Sequence, residues 1–146
     1  MKMIILATAL ILPAAPAMAQ TMLLAGVADV PVLEGSTMSE DCGGMQDVLR
    51  GSDSAAPIEC VTARMSAIND LQWAYVRAAQ ARGWTFEGGE ASSIRLTRAR
   101  ADGACERLSF TSFWDYRAHP EPRPREPGYI AVGIQPARRC PSEAAQ

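Results

Sequence analysis

The sequence predicts an α+β fold in which one long amphipathic helix packs on a three- to four-stranded antiparallel sheet stapled by two disulfides. Three observations predict it. Apolar residues recur at three- and four-residue spacing from Pro57 to Arg82, apolar and polar residues alternate in runs after Gly83, and four cysteines are spread along the chain. The first period is that of a helix with one buried face, and the second that of strands with one wet side. With 146 residues there is room for a single domain.

The elements follow in order. Met1 to Ala19 has a charged Lys2, an apolar run from Met3 to Leu12 and a close in Pro13-Ala14-Ala15-Pro16-Ala17-Met18-Ala19. The apolar run is too short to cross a bilayer, and Ala17 and Ala19 are the small residues a signal peptidase needs, so the segment reads as a secretory leader cut before Gln20. The expected location is therefore periplasmic or secreted, with no transmembrane segment after cleavage. Lys2 is the only lysine, so the remaining positive charges are all arginine and no lysine Schiff base or lysine general base is available.

Residues 20–56 read as an irregular acidic arm. Seven acids lie between Asp29 and Glu59, opposed only by Arg50. A short helix from Ser39-Glu40-Asp41-Cys42 to Gly51 is a second reading of part of this arm. Residues 57–146 then carry the helix and the sheet. Ile58, Val61, Met65, Ile68, Leu71, Tyr75 and Val76 form the apolar stripe of a helix spanning Pro57 to Arg82, which Gly83 stops. Trp73 lies off that stripe.

Strands are expected at Trp84 to Glu87, Ser93 to Arg100, Cys105 to Trp114 and Gly128 to Gln135, with turns at Gly88-Gly89 and Ala101-Asp102-Gly103. Between the last two strands, four prolines in His119 to Pro127 predict a stiff extended loop. If those two strands form a hairpin, residues near 105 face residues near 140. Of the three pairings that four cysteines permit, this favours Cys105–Cys140 with Cys42–Cys60. The cysteines show neither C-x-x-C nor close ligand pairs, so no metal and no cofactor are expected.

A net charge of −2 and a pI near 5.4 argue against nucleic-acid binding. No nucleophile elbow, zinc-protease motif or phosphate loop is present, so the chain reads as uncertain but more plausibly non-enzymatic. The weak catalytic candidates are Asp115 with the lone His119, as a carboxylate–imidazole base, and Glu87 with Glu90, as paired acids for glycoside hydrolysis. A small envelope hydrolase built on these groups is one alternative, and a purely structural envelope module is another.

The leading expectation rests on charge. Nine arginines and six acids lie between Glu90 and Cys140, so the chain is acidic first and basic later. If Ile94, Leu96, Leu108, Phe110, Ile130, Val132 and Ile134 face the helix, the opposite face presents Arg95, Thr97, Arg107, Ser109, Thr111, Phe113, Tyr129 and Gln135. Arg95, Arg107, Phe113 and Tyr129 would then bind a protein or an anionic envelope component. The bland alternative has these arginines paired with the chain's own acidic arm.

Overall fold

The computed structural model describes residues 20–50, 56–137 and 140. The expected leader at 1–19, the helix stop at Gly51, and Arg138 and Arg139 lie outside the described residues. In chain order the elements are β1 (Met22–Leu23), β2 (Val30–Pro31), β3 (Thr37–Ser39), a 3₁₀ turn (Cys42–Gly44), α1 (Gln46–Arg50), β4 (Ile58–Arg64), a second 3₁₀ turn (Met65–Ala67), α2 (Ile68–Gln80), β5 (Thr85–Glu90), β6 (Ser93–Ala99), β7 (Cys105–Trp114) and β8 (Pro127–Ala137). The class is α+β, but the sheet is larger than expected. Six antiparallel strands run in the order β3-β4-β8-β7-β6-β5, and β1 and β2 form a separate two-stranded ribbon.

The enlargement comes from the start of the expected helix, which is strand β4, and from the arm, which supplies β3. Residues 58–64 are the strand β4, paired along all seven residues with β8 and with β3 on its other side. Ile58, Val61 and Met65 fit a helical stripe by spacing alone, yet the segment is β-branched at Ile58, Val61 and Thr62, and cross-strand pairing outweighs a weak helical preference. The helix therefore begins only at the 3₁₀ turn Met65–Ala67 and continues as the 13-residue α2, with no side-chain cap at its start. Gly128 of β8 permits this close start, because a β-carbon there would run into Ile68 and Met65.

The expected β-hairpin is present with the expected register, Cys105 opposite Ala137 and Trp114 opposite Gly128. Ile94, Leu96, Leu108, Phe110, Ile130, Val132 and Ile134 are buried beneath α2 together with Leu71, Tyr75, Val76 and Ala79. Both disulfides are as expected: Cys42–Cys60 with 5.2 Å between Cα atoms and Cys105–Cys140 with 5.3 Å. Two disulfides are typical of proteins outside the cytoplasm. Among the described residues no helix is long and apolar enough to cross a membrane.

The acidic arm is more ordered than its composition suggests. Leu23, Leu24, Ala28 and Val30 belong to the main core. Partly buried polar contacts hold them: Glu59 accepts from the Leu24 amide at 2.7 Å, and the Tyr75 hydroxyl takes the Leu33 amide at 3.0 Å and meets Ser36 Oγ at 2.7 Å. The proline loop also departs from a fully extended form. It turns at Asp115–His119 and again at Arg123–Glu126, and its Pro124 and Glu126 carbonyls accept from Ser66 and Met65. Their amides, at the start of the helical segment, have no partners within the helix and so need these acceptors.

Candidate functional site

The face of the sheet away from α2 divides into two halves, because the segment carrying Cys42 to Leu49 lies on one of them. The Cys42–Cys60 bridge, Ala131, Ile58, Leu49 and Phe113 form a second small core there. Phe113 and Tyr129 pair across β7 and β8 with ring centroids 5.4 Å apart. The glycine turn lies against Tyr129: a β-carbon on Gly43 would sit 2.6 Å from its ring, and Gly43 itself has φ +64°. Burial first, then the charges of Asp41 and Asp115, raise the Tyr129 pKa and keep its hydroxyl protonated. The two expected aromatic binding residues are thus largely committed to the chain's own turn.

Arg95 and Arg107 lie on the other, uncovered half. Arg107 is six residues before Phe113 on β7, about 20 Å along the strand, so the four expected binding residues do not form one patch. Thr97 pairs with Arg107, and Arg95 with Ser109, which makes the two arginines diagonal neighbours across β6 and β7. Arg107 donates two hydrogen bonds to Glu87, at 2.8 Å through Nε and 2.6 Å through Nη2. Arg95 lies 3.8 Å from Glu90.

A β-bulge makes the first of these pairs. The register between β5 and β6 shifts between Phe86 and Gly88, leaving Glu87 as the extra residue and turning its carboxylate across β6 toward β7. The hydrogen bond from Arg107, opposed in part by burial, holds the Glu87 carboxyl below its usual pKa, and Glu87 in turn raises Arg107. The bridge spans β6 at the level of Thr97, which is 1% exposed and whose Oγ1 has no hydrogen-bond partner among the described residues.

Three of the remaining described arginines of the C-terminal half are also neutralised locally, while Arg123 and Arg125 form no ion pair among the described residues. Arg98 pairs with Glu106 at 3.2 Å and stacks over Trp84, Arg100 pairs with Asp102 and Glu106, and Arg117 with Asp115. Their carboxylates are sequence neighbours or belong to adjacent strands. The arm contributes backbone carbonyls instead: Val27 accepts from Arg98 and Gly43 from Arg117.

The proline loop forms a cavity of about 170 Å³ bounded by Trp114, Asp115, His119, Arg123, Glu126 and Tyr129. Asp115 and His119 both reach it but not as a base pair. The Asp115 carboxylate accepts from the Arg117 and Ala118 amides and from Arg117 Nε, and the Arg117 contact first of all lowers its pKa. The carboxylate beside the imidazole is Glu126, 3.9 Å from Nε2. Glu87 and Glu90 each face their own arginine.

Sequence reasoning missed Gln72, which is 2% exposed and donates to the carbonyls of Ser92 at 2.9 Å and Phe110 at 2.8 Å. Its position between Leu71 and Tyr75 on the helix stripe was the available signal. Comparison with protein-family models, curated proteins and solved structures found no match to this chain.

Proposed function

We propose that the protein is a small non-catalytic binding domain, periplasmic or secreted, that recognises an anionic group on a protein or envelope component at the uncovered half of its outer sheet face. One observation carries the reading. The Arg107 guanidinium presents a fork that already holds a carboxylate through two hydrogen bonds, at a position only partly covered. A fork of this shape matches carboxylate and phosphate geometry. Glu87 then acts as an internal stand-in for the ligand: a partner's anion displaces it, and Arg95, with its longer contact to Glu90, supplies the second charge.

The groups considered for catalysis support this reading by the roles they already have. Glu87 is held ionised, the reverse of what a general acid requires. Asp115 is committed to its own turn.

The test is binding of a tetraglutamate peptide, with phosphatidylglycerol vesicles as a second arm to separate a protein from a lipid source. Glu87→Gln should tighten binding by about tenfold, and Arg107→Ala should weaken it by a similar factor. Affinities that both substitutions leave unchanged would reject the sheet face as the site.

A further inference from the structure

A second surface lies on the opposite side of the sheet, where α2 meets the edge strand β5. Trp73 and Phe86 are 42% and 44% exposed, and their rings stack with centroids 6.3 Å apart. The two rings form a small exposed aromatic patch. They border a cavity of about 220 Å³ whose other walls include Asn69, Gly89, Glu90 and Ala91.

This cavity is preformed. Gln72, one residue before Trp73, is buried and ties α2 to the β5–β6 turn through the Ser92 carbonyl, and to β7 through the Phe110 carbonyl. Gly89 keeps the strand wall bare, since a β-carbon there would lie 3.0 Å from the Ser93 carbonyl oxygen and 3.4 Å from Ile94. The rim carries one mostly free charge. The Glu90 side chain is 81% exposed, and its 3.8 Å contact with Arg95 is too long for a good hydrogen bond. Arg77, four residues beyond Trp73 on α2, is not among the walls.

An aromatic face beside an accessible carboxylate is the pairing that selects an organic cation: the ring quadrupole attracts it and the carboxylate forks it. An anion would meet Glu90 and be repelled. We propose that this cavity binds the arginine side chain of a partner peptide, the guanidinium lying against Trp73 and hydrogen-bonded to Glu90. A planar guanidinium can satisfy both groups together, which the compact ammonium of lysine does less well. The site takes the opposite charge to the sheet-face proposal and meets it at Glu90, the edge carboxylate that also contacts Arg95.

The experiment is an amide and indole chemical-shift titration of the ¹⁵N-labelled protein with acetyl-Ala-Arg-Ala-Ala-amide, alongside the same peptide carrying uncharged citrulline. The arginine peptide should give saturable shifts at the Trp73 indole and the Gly89 and Glu90 amides, with the citrulline peptide weaker by about tenfold or more. Glu90→Gln and Trp73→Ala should each lose about tenfold, both at exposed positions where folding is unaffected. Equal binding of the two peptides, no shifts at these residues, or shifts that survive both substitutions would overturn the assignment. Concentration-dependent shifts of the same signals without peptide, lost in an Arg123→Ala/Arg125→Ala variant, would assign the cavity to a second copy of the chain and overturn the partner-peptide reading.

Discussion

Glu87 shows how one residue's surroundings decide its chemistry. Its carboxyl pKa is lowered chiefly by the Arg107 hydrogen bond, so the folded value lies below the unfolded one. The stability that the pair adds is therefore complete above the ordinary glutamate range and is lost as pH falls through the folded value. Solvent screening keeps that contribution small. A carboxyl-carbon NMR titration should show the Glu87 midpoint move up toward the ordinary glutamate value in Arg107→Ala, and an unmoved midpoint would mean the ion pair does not form in solution. Thr97 beneath the bridge is a second residue-scale case. Its hydroxyl is buried without a partner among the described residues, so Thr97→Val should raise stability by about 1 kcal/mol, read as a higher urea midpoint at unchanged m-value. Gly43 is a third. Gly43→Ala places a β-carbon against the Tyr129 ring at a left-handed backbone position and should cost about 1–3 kcal/mol by the same measurement.

Elements differ in how much of their structure is local. β7 and β8 were readable because alternation of apolar and polar residues survives without knowledge of the partner strand, and the cysteine positions supplied the register. α2 was half readable. Ile68, Leu71, Tyr75 and Val76 face the core as the stripe implied, but the residues before Met65 share its spacing by coincidence and are drawn into the sheet by β8 and β3. The Cys42–Cys60 bridge ties the glycine turn to this strand, covering the Tyr129 half of the outer face. Replacing both cysteines by serine should lower stability by roughly 3 kcal/mol, and the Tyr129 and Phe113 ring signals should shift in the same variant. Unchanged ring signals would show that the turn stays on the sheet without its covalent tie.

Across the whole molecule, one continuous core joins the arm, α2 and four further strands, with β4, β8 and β7 at its centre. Native-state amide exchange should therefore be slowest in β8 and β7, fast on the outward edges of β3 and β5, and intermediate in the β1–β2 ribbon that Tyr75 and Glu59 anchor. Equal protection along all six strands would contradict this layering. The candidate sites follow the same division. Arg95 and Arg107 could be placed on an outer face from period two alone, whereas their pairing with Glu90 and Glu87 depends on the β5 edge and its bulge. Trp73 was legible only as a residue off the helix stripe. Its companion Phe86 became visible when the edge strand folded beside the helix.

By itself the sequence determined the class, the central β-hairpin and which residues of β6, β7 and β8 turn inward, and it favoured the observed disulfide pairing among three. Each of these rests on short-range periodicity or on covalent reach, which neighbouring residues carry in full. Only the tertiary structure decided that residues 58–64 form a strand, that the acidic arm enters the core, and that Arg95, Arg98, Arg100, Arg107 and Arg117 meet acids of their own half. The free energy of those choices lies in contacts between residues distant along the chain, where the same local pattern is compatible with more than one partner.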